Sequence, residues 1–222
     1  MRRVLVVTIA LALALPAVAR SQCGAGNGNS TKPACIALVG LGLSGAADPV
    51  GAFTVTVRDN ANNPCPGSEV RIDFTDCVDL RIAPQSDQPY PGMIVDCTGH
   101  SVRATADGNG VSRFCIVGAA TNPSGAALPR SLTGCARATA DDLPLGTCTV
   151  QAFNEDGSTG LAAGVGGNDL SAWKGDFFTA GNPYYGRSDF DCNGAIGGND
   201  LAVLLTVFFA QGSVSGPSGY CP

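Results

Sequence analysis

The chain has one histidine, His100, two glutamates, Glu69 and Glu155, and no C-x-x-C pair among its ten cysteines. Each scarcity excludes a chemistry. A zinc site needs several Cys or His ligands at short spacing, and neither is present. A glycosidase needs two carboxylates placed across a cleft. The adjacent acids Asp141-Asp142 do not meet that need, because neighbours on a strand point to opposite faces; they read as a solvated turn before Leu143-Pro144. His100 beside Ser101 has no partner set that would make a nucleophilic triad. Basic residues are also few, 13 against 18 acids for a net charge of −5, and they do not cluster, which argues against nucleic acid. Aromatics make up 6% of the chain. Those between residues 23 and 152 (Phe53, Phe74, Tyr90 and Phe114) fall partly on the expected core side and form no row for sugar stacking. The chain therefore reads as a non-enzyme.

Only one long apolar run is present. Arg2-Arg3, then Val4 to Leu15, then Pro16 and Ala17-Val18-Ala19 have the order of a secretion signal with its cleavage site, and twelve residues are too few to span a bilayer. Residues 1–19 are thus expected to be a signal peptide, the rest secreted, extracellular or at a bacterial cell surface. Without Arg2 and Arg3 the balance is 11 basic to 18 acidic residues, or about −7, which suits a chain with affinity for cations. In an oxidising compartment the ten cysteines are all expected to form disulfides.

Residues 23 to about 152 show no helical period. Short alternating runs are separated by turn clusters instead: Phe53, Val55 and Val57 alternate with Thr54, Thr56 and Arg58, and Val70, Ile72 and Phe74 with Arg71 and Asp73. Further strands are expected over 36–41, 78–82, 93–97, 102–106, 111–117, 132–138 and 147–153. Asp59 to Pro64 and Asp107-Gly108-Asn109-Gly110 carry turn chemistry. This pattern predicts a mainly β protein with an antiparallel sandwich over 20–153. The stretch 54–74, TVTVRDNANNPCPGSEVRIDF, and the stretch 104–118, ATADGNGVSRFCIVG, resemble the bacterial Ig-like repeats of invasin and intimin type. That resemblance implies an adhesion or spacer module.

The C-terminal segment carries the sharpest motif. Residues 189–200 read DFDCNGAIGGND. Oxygen-bearing side chains stand at loop positions 1 (Asp189), 3 (Asp191), 5 (Asn193) and 12 (Asp200), with Gly194 at position 6 and Ile196 at position 8. This is the spacing of an EF-hand calcium loop with Asp at position 12, the Ala195 carbonyl serving position 7. A hard cation needs six to eight oxygens, and alternate residues of a tight loop can all point inward.

The motif opens a repeat. GGNDL and a Phe-Phe pair recur at a shift of 31 residues, so Asp169 matches Asp200 and Phe177-Phe178 match Phe208-Phe209. Apolar stripes at helical spacing follow each loop: Leu170, Trp173 and Phe177, then Leu201, Leu204 or Leu205, and Phe208. With a four-residue insertion, Asn154, Asp156 and Ser158 take positions 1, 3 and 5 of a first loop whose position 12 is Asp169. Residues 154–211 resemble a dockerin, the calcium-dependent module of two loop–helix repeats that docks secreted proteins onto cohesin domains. Positions 10 and 11 hold Gly167-Asn168 and Gly198-Asn199, where dockerins often have hydroxyl pairs. The resemblance implies an all-α EF-hand module over 154–222, calcium as cofactor, and a cohesin-like or other cell-surface protein as partner. Cys192 and Cys221 are the only cysteines in this segment and are read as a pair closing it; the alternative is a bridge from one of them to the β part. The whole is expected to be a secreted, non-catalytic protein that attaches through its calcium module. The alternative is a carbohydrate-binding or accessory subunit of a complex that degrades polysaccharide.

Overall fold

The computed structural model describes residues 23–121, 131, 133–160, 164–178 and 185–221. The signal-peptide expectation for residues 1–19 lies outside them. The protein is mainly β. Among the described residues ten strands, β1 (Cys35–Leu38), β2 (Ala52–Thr56), β3 (Glu69–Asp73), β4 (Leu80–Ile82), β5 (Met93–Asp96), β6 (Ser101–Thr105), β7 (Val111–Cys115), β8 (Gly118–Ala120), β9 (Ala136–Ala140) and β10 (Leu143–Ala152), precede two helices, α1 (Gly167–Phe178) and α2 (Gly198–Ala210). A curled mixed sheet runs in the order β1-β10-β9-β3-β6-β5, and β2–β7 and β4–β8 form two further pairs. All pairings are antiparallel except β1 on β10, which is parallel.

Period-2 alternation builds the main core. Val70 and Ile72 of β3 point inward beside Val102 of β6 and Ala138 of β9, while Arg71 and Asp73 face outward. Turn chemistry ends the strands as its residues dictate. Asp59 Oδ1 accepts from the N–H groups of Ala61 and Asn63 at 2.9 and 2.8 Å, and Asp107 Oδ1 from Asn109 and Val111 at 2.9 and 3.1 Å. Asp141 and Asp142 form the two-residue β9–β10 turn with φ of 48° and 66°, a left-handed geometry that Asp tolerates.

The two helices do not stand apart from the sheet. Trp173 of α1, Leu204 and Val207 of α2 and Phe190 between them share one apolar cluster with Val39, Cys115 and Phe153 of the β part. The Phe153 and Phe190 rings stack at 4.8 Å. Burying each such side chain contributes roughly 1.5–3 kcal/mol, so the helical segment depends on the sheet for much of its core. The helix stripes differ in detail from expectation. Phe177 and Phe208 stay partly in solvent, 42% and 39% exposed, and Ala172, Asp176 and Val207 take the inner positions.

The cysteines depart from two expectations. Cys192 and Cys221 are bridged, but not to each other: Cys35–Cys192 and Cys97–Cys221 each cross to the β part, beside Cys23–Cys65 and Cys77–Cys135. The path of the chain after α2 explains this. The tail leaves the loop, pairs Ser215 with Leu41, and places the Cys221 N–H on the Ile82 carbonyl at 2.9 Å, which brings Cys221 to Cys97. Asp48 pins the same tail, accepting from Ser213 Oγ at 2.9 Å. Nor are all ten cysteines oxidised, because Cys115 and Cys148 are buried free thiols. Each sits in a separate apolar cluster and rests its sulfur on a backbone carbonyl, of Asp48 and Pro33 respectively.

Candidate metal centre

The second loop begins where a 3₁₀ turn, Gly186–Ser188, ends at Asp189, and it runs into the first turn of α2. Carboxylate oxygens of Asp189, Asp191 and Asp200 come within 4.8 Å of one another. Asp189 and Asp200 are buried, at 1% and 0% exposure, and Asp191 lies nearer solvent. Backbone N–H groups hold all three. Asp189 accepts from Asn193 and Gly194 at 3.2 and 3.0 Å, Asp191 from Asn193 at 3.1 Å, and Asp200 from Asp191 and Gly197 at 3.0 and 2.7 Å. Gly194 makes the sharp turn at φ 87°, a conformation glycine adopts without steric cost. Asn193 Oδ1 takes the N–H of Ala195 at 2.9 Å, which fixes position 7 against position 5.

The first loop repeats this scheme in the register that includes the insertion. Asp169 Oδ1 accepts from the Asp156 N–H at 3.0 Å and its Oδ2 from Gly166 at 2.7 Å, as Asp200 does from Asp191 and Gly197. Asp156 Oδ1 accepts from the Ser158 N–H at 2.8 Å, the counterpart of Asp191 with Asn193. Asn154 is 1% exposed. Its amide N–H₂ donates to the Ser158 carbonyl and to Tyr220 Oη, at 3.0 and 3.1 Å, while its Oδ1 has no hydrogen-bond partner among the described residues. A buried acceptor without a donor is costly, and at loop position 1 a cation would supply what it lacks. The donor sets of both loops are oxygen only, the choice of a hard cation such as Ca²⁺. Asp189, Asp191, Asn193, Asp200 and Ala195 would hold it in the second loop, and Asn154, Asp156, Ser158 and Asp169 in the first.

A buried polar network joins the loops and has no counterpart in the sequence reading. The Arg187 guanidinium grips Asp176 of α1 through Nε and Nη2 at 2.7 and 2.9 Å. Ser188 Oγ lies 2.7 Å from Asp176 Oδ2 and 3.0 Å from Glu155 Oε1. Arg187, Ser188 and Glu155 are all 0% exposed. Glu155 stands between two residues of the first loop, and Ser188 directly before Asp189 of the second. One sequence signal existed: Asp176 falls three residues after Trp173, on the helix side expected to be apolar.

Burial, more than any neighbour, sets the ionisation of Asp169, Asp200 and Glu155, while hydrogen bonds hold Asp191 below the ordinary carboxylate range. It lifts the Asp169 carboxyl to about 6 from an ordinary 3.8. It also raises Asp200, and it raises Glu155 well above the usual carboxylate range with help from Asp176. In the folded chain these acids hold their protons more tightly than when unfolded. Without a cation the Asp169 contribution favours the fold in acid and is lost as the pH rises from about 4 through about 6, and Asp200 and Glu155 act in the same direction. A cation needs the carboxylates ionised and binds with release of protons. The gain in melting temperature from calcium over chelator is therefore expected to grow from pH 4 to pH 7. Scanning calorimetry across that range checks this, and a gain independent of pH would contradict it.

No protein-family model matches this chain, and neither the curated proteins nor the solved structures contain a match. Among the described residues, no helix is long and apolar enough to cross a membrane.

Proposed function

We propose that this is a secreted, non-catalytic attachment protein: a β part of Ig-like sandwich type that spaces or displays, and a dockerin-like unit of two cation loops and two helices that docks. The observation that carries this reading is the duplicated loop. Two segments of different sequence and length fold their position-3, position-5 and position-12 residues into the same hydrogen-bond scheme, and in the second the carboxylate oxygens of Asp189, Asp191 and Asp200 gather within 4.8 Å of one another. Four disulfides suit an oxidising, extracellular compartment.

The helices offer the docking face. Phe177 with Phe178 and Phe208 with Phe209 stand as edge-to-face pairs on the outer surface, the second ring of each pair 72% and 74% exposed. A groove of about 350 Å³ opens beside Phe208, Phe209, Val165 and Val214. Exposed aromatic clusters of this kind mark protein contacts. Calcium fixes the loops that start both helices, so docking should depend on it. The partner fitting this arrangement is a cohesin-like or other cell-surface protein.

The experiment uses the full chain, because the helices share their core with the sheet. The immobilised chain is expected to retain a cohesin-type domain in calcium and to release it in excess chelator. A sugar-binding subunit would instead stay on polysaccharide in either condition. Equal retention in calcium and chelator, or none in either, would defeat the docking reading.

A further inference from the structure

The second loop is fastened covalently to the sheet inside its ligand run. Cys192 is loop position 4, between Asp191 and Asn193, and its side chain bridges to Cys35 at the start of β1. Cys35 lies in register with Thr149 of β10. Two residues further along β10, Gln151 Nε2 donates to the Asp189 carbonyl and lies 3.1 Å from Cys192 Sγ. The bridge and the amide therefore act as neighbours on one strand pair. They hold positions 1 and 4 of the loop against a rigid edge.

Two features make this fastening matter to the loop. Cys192 has φ 61°, a left-handed conformation that disfavours a non-glycine residue and is kept only while the surroundings enforce it. The carboxylates of Asp189, Asp191 and Asp200 crowd within 4.8 Å and repel one another when ionised without a counter-charge. Released from β1, the loop can relax both by opening, and a cation must then close it again before binding.

Accessibility separates this bridge from the other three. Cys65, Cys77, Cys135 and Cys221 are at most 8% exposed, so each of the other disulfides has at least one buried sulfur. Cys35 and Cys192 are both partly exposed. The free thiol of Cys148 belongs to the main core and is bonded to the Pro33 carbonyl.

We propose that the Cys35–Cys192 disulfide is a redox gate on the second loop, which binds its divalent cation in the oxidised chain and releases it when an external dithiol reduces this bridge. The proposal rests on the cation reading of that loop. In the step, a dithiol thiolate attacks one sulfur of the bridge and expels the other, and its second thiol resolves the mixed disulfide. Two electrons and two protons pass to Cys35 and Cys192 as thiols, and the dithiol becomes a cyclic disulfide. The consequence is an order of assembly. A chain still in a reducing compartment keeps the loop open, and oxidation after export makes it competent for calcium.

Calorimetry on the full chain tests this, the second-loop signal being taken as the difference from a chain carrying Asp189→Ala and Asp200→Ala. Mild dithiol treatment followed by alkylation and peptide mapping gives chains opened at Cys35 and Cys192 alone. The double variant Cys35→Ser with Cys192→Ser removes the bridge without free thiols. Both are expected to bind calcium about tenfold more weakly or worse, within the usual span of couplings between sites. Linkage makes the effect reciprocal: calcium should shift the reduction midpoint of this bridge by the same factor, about 30 mV per tenfold, and leave the other three unmoved. A bridge that merely stiffens the fold would lower the melting temperature without a calcium-dependent midpoint. Unchanged affinity in the opened chains, or a midpoint indifferent to calcium, overturns the gate while leaving the cation reading intact. Absence of calcium binding to the oxidised wild-type chain overturns both.

Discussion

Replacing Arg187 with methionine is expected to destabilise the protein by about 3–5 kcal/mol, the usual loss when one partner of a buried ion pair is removed. The side chains of Arg187 and Asp176 are 0% and 2% exposed, so water cannot take over the lost contacts. Methionine fills much of the space but removes the two-point grip on Asp176, in a pocket that also holds the Glu155 carboxyl. Asp176 and Glu155 would then face each other without the guanidinium. For a chain of this size that loss lowers the melting temperature by roughly 10 °C or more. Arg187→Lys should recover little, because a lysine cannot make the two-point grip on one carboxylate. The combined change of Arg187→Met with Asp176→Leu should recover most of it, since the apolar pair leaves no uncompensated charge. Thermal melts of the three variants decide the matter. A single Arg187→Met change costing under about 1 kcal/mol would mean that the network is not anchored as its geometry implies.

The same residues show where sequence reading stops. The gathering of Asp189, Asp191 and Asp200 was legible because residues 189, 191 and 193 alternate along a tight loop that closes at 200. The first loop was legible only through the repeat, since its insertion breaks the spacing and Asn154, Asp156 and Ser158 carry a weaker pattern alone. The alternating runs around Val55, Val70 and Ile72 were legible because a strand writes its two faces into period 2. Partners far apart in the chain were not. Cys192 finds Cys35 across 157 residues and Cys221 finds Cys97 across 124, and no local signal marks either choice. The parallel pairing of β1 with β10 is of the same kind. Assuming that the C-terminal segment closes on itself made Cys192–Cys221 the natural pair. The structure closes that segment onto the sheet instead, which also explains why two small helices with few core residues need no independent stability.

Substituting alanine for both Asp189 and Asp200 is expected to abolish calcium binding at the second loop. These residues are the two buried acids of the three-carboxylate group, and they occupy the first and last ligand positions. Neutralising them leaves Asp191 as the only acid there, too little charge to displace the hydration of a divalent cation. Affinities of extracellular loops of this type lie on the order of 10⁻⁴–10⁻³ M, so calcium at a hundred times Kd stabilises the wild-type fold by about 2.7 kcal/mol. That is roughly 5–10 °C in melting temperature, and the part due to the second loop should vanish in the double variant. Alanine also strips acceptors from the N–H groups of Asn193, Gly194, Asp191 and Gly197, so the variant should melt lower than wild type even in chelator. Asp189→Asn with Asp200→Asn separates the two effects. It keeps one acceptor oxygen at each position and most of the stability in chelator, yet it lacks the charge for calcium. Calorimetry and melts of both variants, with and without metal, distinguish loop folding from loop loading. Calcium binding that persists unchanged in the alanine variant would remove the second loop as the metal centre, and with it the basis for calcium-dependent docking.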